Sequence, residues 1–313
     1  MIAFLQNLDF ADTMMLVVFP AFPIACWFIY LLLILRRNNP LVLSQQREVP
    51  WGVLDVLILI ATMWLAKLVG QIVAMFLIAA SEGIAIDAID STVAMRNANI
   101  LLPCSIVFSI LQLGLAVFFL KRFHHATFED LGINRKSLGR DIGVGLVGSL
   151  MIIPVILMIN IIIHMFLSEK YDHQVMVLIR HSMIFAGLST VVVAPLVEEF
   201  HFRIFLQGWM QRIFRMDPTK KMRVIQGDAR TEKMLVKKLK RESAERVPIW
   251  PIFLCSLIFA AMHSGQGAAP YALFVFSVFL GFLYRQTHSV VPCIVVHFVL
   301  NLWSFVALIY SLD

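Results

Sequence analysis

The chain has 313 residues, 60% of them hydrophobic and only 15% charged, with a mean hydropathy of +0.83 and a formal net charge of +6. A soluble domain is about 45–50% apolar and about 25% charged, so this composition excludes one. The basic residues lie between long apolar runs, which makes the lipid bilayer the expected partner and excludes a nucleic-acid binder.

An apolar run of about 20 residues crosses a bilayer as a helix, because lipid leaves backbone polar groups no partner but their own helix. The fold class expected is therefore all-α, a polytopic membrane protein. Eight spans are predicted, at 14–35, 53–79, 99–120, 142–167, 183–211, 249–264, 270–286 and 289–310. The first lacks the basic flank of a signal peptide and is expected to be retained. The second carries Lys67 and Gln71, one turn apart, which suggests a buried hydrogen-bonded pair. In the fourth, Gly145 and Ser149 form a small-xxx-small face for close helix packing. Cys26, Cys104, Cys255 and Cys293 all sit in apolar runs without metal-like spacing and read as packing residues. Trp51, Trp209 and Trp250 fall near span ends, as in an interfacial belt. The 25 Phe read mostly as lipid-facing bulk.

Orientation follows from the loops. Alternate connections hold 21 basic residues on one side, against Arg96, Lys170 and Arg180 on the other. The positive-inside rule then puts both termini outside the cytosol. Loop 212–248 carries twelve basic residues, and "TEKMLVKKLKRESAER" within it reads as a basic amphipathic helix lying on anionic lipid. The chain divides into four N-terminal spans (1–182) and a second group of four (183–313) that contains this insert.

The fifth span is interrupted by chemistry. "VEEFHFR" places Glu198, Glu199, His201 and Arg203 within six positions. A carboxylate or guanidinium costs roughly 2.5–3.5 kcal/mol at a bilayer centre, so these groups need a reason to be there. Glu199 and Arg203 are four apart, acid first, and suit an ion pair on one helix face. Glu198 points about 100° away and remains unpaired. Pro195 loosens the backbone nearby. His201 reads as structural or pocket-lining. The sixth span offers Phe259 and His263, and the eighth His297 and Asn301, each pair one turn apart. At 1.5 Å per residue, Glu198 lies about 22 Å from the outer boundary, and His263 and His297 about 20 and 12 Å from the cytosolic one. All three fall inside a core about 30 Å thick. A carboxylate, two imidazoles and a carboxamide in one wet pocket suit hydrolysis, with Glu198 as general base and His263 as helper. His297 and Asn301 are then oxyanion donors.

These three motifs, in this order, resemble the CAAX protease and bacteriocin-processing family of intramembrane glutamate endopeptidases, which includes the type II CAAX prenyl proteases. Glu198-Glu199-x-x-x-Arg203, Phe259-x-x-x-His263 and His297-x-x-x-Asn301 carry the resemblance, over roughly residues 183–310. It implies an intramembrane endopeptidase acting on a membrane-associated protein or peptide. Glu198 and His263 are implied to activate water, Glu199 and Arg203 to support them, and His297 and Asn301 to form the oxyanion site. No cofactor is implied. Two features depart from the pattern: Ile204 follows the motif Arg where many members have Gly, and the insert at 212–248 is larger than usual. The expected location is an integral one, in a bacterial inner membrane.

Other readings of the same residues stay open on sequence. Glu198, His263 and His297 supply one carboxylate and two imidazoles, a possible zinc set, although no His-Glu-x-x-His is present. Intramembrane carboxylates and histidines also serve proton-coupled transporters, although no internal repeat or paired broken helix is found. A non-catalytic binder is the remaining alternative.

Overall fold

A computed structural model describes residues 24–30, 32, 49–166, 174–214 and 248–310. These residues are helices and their connections, with no strand among them. The first predicted span is covered only at 24–30 and 32, which are helical; most of it, and the amphipathic helix expected within 212–248, lie outside the described residues.

Helix α1 (Val53–Glu82) opens where the Gly52 N–H donates to the Asp55 carboxylate at 2.7 Å and closes at Gly83, whose φ of +66° only glycine adopts freely. A short helix α2 (Ser91–Arg96), capped by Asp90, leads into α3 (Ala98–Phe123). Helix α4 (Leu138–Phe166) follows. The next span is one long rod in several registers. Helix α5 (Gln174–Gly187) bends at Ser182, the residue before the predicted span start, and passes into a π-helical segment (Leu188–Val193). Helix α6 (Ala194–Glu199), a second π-helical segment (Phe200–Gln207) and α7 (Gly208–Ile213) complete it. The hairpin α8 (Trp250–Ala261) and α9 (Ala269–Thr287) precedes α10 (Val291–Tyr310).

Five of these helical stretches are long and apolar enough to cross a membrane: α1, α3, Leu138–Ile163, Val177–Ile213 and α10. They coincide with five of the predicted spans. The sixth differs. Helix α8 has 12 residues and rises only about 18 Å, short of a core about 30 Å thick. It stops because "HSGQGAAP" follows: Gly267 adopts a φ of +57° and Pro270 fixes the start of α9. His263 therefore sits in the turn beyond the helix, not inside a span.

The helices pair as α1 on α3, α4 on α10 and α8 on α9. Leu54, Leu65, Phe76, Ile110, Leu115, Phe118 and Ile161 face outward, as lipid contact requires. The α4–α10 seam is as close as the small-residue pattern predicts. A Cβ on Gly145 would stand 2.6 Å from Val295 Cβ, and the Ser149 hydroxyl turns back to donate to the Gly145 carbonyl at 2.9 Å. All four cysteines are free. Trp51 departs from the belt reading: it is fully buried, edge-on to Phe205 at 5.8 Å. Phe200, Phe202, Phe205, Phe259 and Phe276 are likewise buried rather than facing lipid.

Candidate functional site

The site gathers on the rod at Glu198–Gln207, with α10 on one side and the α8–α9 hairpin on another. Its anchor is Glu199, 0% exposed. Glu199 Oε2 accepts from Arg203 Nε at 2.9 Å, and Glu199 Oε1 accepts from His297 Nδ1 at 2.8 Å. The i, i+4 pair expected from sequence is present. A buried ion pair is tolerated only where its remaining donors are satisfied, and here they are. Arg203 Nη2 donates to the Ser277 hydroxyl at 2.7 Å, and Nη1 to Gln207 Oε1 at 3.3 Å. Gln207 Nε2 passes on to the Gly281 carbonyl at 2.8 Å. Gly281 has no room for more: a Cβ there would lie 2.7 Å from Ile252 and 3.0 Å from Gln207 Oε1.

Glu198 differs from its neighbour in every respect. Its side chain is 27% exposed, and its Oε2 lies 3.8 Å from His297 Nε2 without a hydrogen-bond partner among the described residues. One imidazole is thus bracketed by two carboxylates. Glu199 holds Nδ1, where the donated proton must reside, and Nε2 is left facing Glu198. This is the arrangement by which a carboxylate fixes a histidine's tautomer and ring plane.

His263 shares a wall with His297 rather than a bond with Glu198. The Phe259 ring is fully buried, with the His263 ring at 4.8 Å and the His297 ring at 6.2 Å. His263 Nδ1 donates to the Phe259 carbonyl at 2.8 Å, so its Nε2 is the free nitrogen. No hydrogen bond or ion pair joins His263 to Glu198 among the described residues.

Asn301 Nδ2 donates to the Thr190 carbonyl at 2.8 Å. The cause is legible in the backbone. In the π register the Ala194 N–H bonds to the Ser189 carbonyl, and the next donor in line is Pro195, which has none. Thr190 is left without a helical partner, and Asn301 supplies one from α10.

His201 resolves to the structural reading. Its Nδ1 donates to the Val197 carbonyl at 2.6 Å, and its Nε2 accepts from Gln112 at 3.2 Å, all of it buried. Lys67 and Gln71 do not form the expected buried pair: both are exposed, and no hydrogen bond joins them. The zinc set is not assembled either. Among the described residues no three His, Cys, Asp or Glu side chains come together as metal ligands, so Glu198, His263 and His297 do not fit a zinc site in this geometry.

Sequence reasoning missed Gln207, Ser277, Gly281 and Gln112. Gln207 carried a signal, for it continues the Glu199–Arg203 row by another four residues. Ser277, Gly281 and Gln112 carried none, since each meets the site only through packing between distant helices.

An all-α membrane protein with a carboxylate–histidine–arginine network inside its bundle matches a known class. Residues 180–303, which hold every motif residue from Glu198 to Asn301, match the sequence model of the type II CAAX prenyl endopeptidase Rce1-like family. The match makes the protein a CAAX-type endopeptidase, a hydrolase with helices long and apolar enough to cross a membrane. No curated protein and no solved structure matches the chain.

Proposed function

We propose that this endopeptidase uses Glu198 as the base that activates water, beside a His297 ring fixed by Glu199. The observation that carries the reading is the 3.8 Å separation of Glu198 Oε2 and His297 Nε2, with Nδ1 already committed to Glu199. A water bonded to both atoms would bridge such a gap at ordinary hydrogen-bond distances. Glu198 takes one proton from that water, the oxygen bonds to the scissile carbonyl carbon, and the C–N bond breaks as Glu198 returns the proton to the leaving amine. His297 Nε2 carries a donor hydrogen when the ring holds its second proton, and the Asn301 amide keeps one N–H beyond its bond to Thr190. These are the groups available to the oxyanion. His263, with Nε2 free, is the residue proposed to hold or relay the water proton. Glu199 and Arg203 position His297.

The substrate proposed is a membrane-associated protein or peptide in a bacterial inner membrane. Both termini of the enzyme are proposed to lie outside the cytosol, as the loop charges require, and the four spans of 183–313 are proposed to form the catalytic core. No step needs a cofactor.

The test maps new protein termini by mass spectrometry in membranes holding equal amounts of wild type or Glu198→Ala. Termini present with wild type and absent with the variant are expected, and they identify the substrate. The same termini are expected when a zinc chelator is present throughout. Identical maps from a folded Glu198→Ala protein would remove Glu198 as the base.

A further inference from the structure

Helix α4 begins with a cation at the head of an apolar stripe. Arg140, Val144, Val147 and Met151 fall within about 60° of one another around the helix and extend over about 16 Å of its length. A cavity of about 380 Å³ follows this stripe. Phe279 and Phe282 of α9 wall it on one side, and Trp27 and Tyr30 of the first span on another. Trp27 packs at the Met151 end: its indole N–H donates to the Met151 carbonyl at 3.4 Å, and its ring stands edge-on to Phe279 at 6.1 Å. Two glycines on the wall make the room. Gly148 brings α4 close to α9 and α10, where a Cβ would stand 3.3 Å from Leu283 and 3.2 Å from Val296. At Gly143 a Cβ would meet nothing within 4 Å.

The cavity is separate from the cleavage site. At 100° per residue, Phe279 and Phe282 point away from the side of α9 on which Ser277 and Gly281 hold Arg203 and Gln207. Helix α9 therefore stands between the two. The cavity's apolar walls suit hydrocarbon and not a hydrophilic ligand. A transmembrane helix of the same length, about 10 Å across, would need roughly three times the volume. The space suits a single alkyl chain, and about 16 Å is close to the depth of one leaflet of a core about 30 Å thick.

The rim supplies the charge. Arg140 is exposed, is the one charged group on the cavity wall among the described residues, and makes no hydrogen bond or ion pair with any of them. The adjacent carboxylate, Asp141, is buried and accepts from the Ser137 hydroxyl at 2.8 Å, so it is not the guanidinium's partner. Arg135 and Lys136, both exposed, precede Arg140 by five and four residues. The Tyr30 hydroxyl also lacks a hydrogen-bond partner among the described residues. Position 140 lies just before the predicted span 142–167, at headgroup level, on the side that the loop charges make cytosolic. Anionic lipids populate that leaflet. A guanidinium takes two phosphate oxygens at once, and a cluster of cations disfavours a headgroup that carries its own ammonium.

We propose that this groove binds one anionic phospholipid of the cytosolic leaflet, with an acyl chain laid along α4 and the headgroup phosphate held by Arg140. The site does not depend on the residues that cleave.

The test takes the full chain in mild detergent and measures lipid binding by native mass spectrometry, with phosphatidylglycerol and phosphatidylcholine of identical acyl chains. Wild type is expected to hold one phosphatidylglycerol about tenfold more tightly than phosphatidylcholine, the margin of one charge-assisted contact. Arg140→Gln should bring phosphatidylglycerol down to the level of phosphatidylcholine, and Arg140→Lys should keep part of the preference. Gly143→Leu, whose side chain grows into the groove, should weaken both lipids by about tenfold. Glycerol phosphate, an anion without chains, should displace neither. Freed of lipid, all three variants should melt with lipid-free wild type, because Arg140 makes no recorded contact and the Gly143 side chain enters open space. Phosphatidylglycerol held equally by wild type and Arg140→Gln would overturn the proposal, as would equal binding by Gly143→Leu. Displacement by glycerol phosphate would reduce the site to a free-anion site and overturn it. A second copy of the chain retained in place of lipid, and lost in Gly143→Leu, would overturn it in favour of a dimer interface.

Discussion

Adjacent glutamates do different things because a helix turns between them. Glu199 is sealed against Arg203 and His297, whereas Glu198 keeps an oxygen with no hydrogen-bond partner among the described residues. The two isosteric substitutions should therefore separate. Glu198→Gln is expected to abolish cleavage while changing stability by about 0.5 kcal/mol or less, since it breaks no hydrogen bond among the described residues and only a long 3.8 Å contact with His297. Glu199→Gln leaves the Arg203 charge buried without its partner and should cost about 3–5 kcal/mol. Thermal unfolding in detergent, run beside the cleavage assay, distinguishes them. Equal melting temperatures for the two variants would mean that the Glu199–Arg203–His297 network does not hold the site. Phe259 belongs to the same scale: the motif Phe is the wall on which both histidine rings rest.

At the scale of the element, the rod carrying the site is not a plain α-helix. Pro195 has no N–H, the turns on both sides run in π register, and Asn301 crosses from α10 to satisfy the Thr190 carbonyl. Asn301→Ala should cost about 1 kcal/mol, the penalty of a half-buried carbonyl left unpaired. In a Pro195→Ala background the restored N–H serves Thr190, and most of that cost should vanish. A double-mutant cycle on the unfolding midpoint measures the coupling, and additive effects would show that Asn301 is not there to cap Thr190. The sequence marked Pro195 and Asn301 separately. It did not join them, because the bond spans 111 positions and depends on the packing of α10 against the rod.

For the whole molecule, the order of spans and the distribution of charge set an orientation. Twenty-one basic residues on alternate connections against three predict a cytosolic 212–248 and external termini. Single cysteines placed at positions 2 and 230 in a chain whose four native cysteines are replaced should label from opposite sides of the membrane. Position 2 should react with an impermeant maleimide in intact cells, and position 230 only after the membrane is opened. The reverse pattern would invert the topology and place the short hairpin α8–α9 at the other face. That hairpin matters to the site, since α8 is too short to span and its turn delivers His263 beside Phe259.

What the sequence determined by itself is whatever rests on one helix. Apolar runs set the spans, the four-residue step set the Glu199–Arg203 pair, and Gly145 and Ser149 marked the α4–α10 contact, because helical periodicity is a local property. Tertiary structure decided the rest. It chose which nitrogen of His297 meets which glutamate, across 98 positions, and placed Ser277 on Arg203 across 74. It also buried Trp51 and ended α8 before His263. Each of these outcomes turns on distances between different helices, and those distances come from how side chains pack and not from the spacing of residues along any one segment.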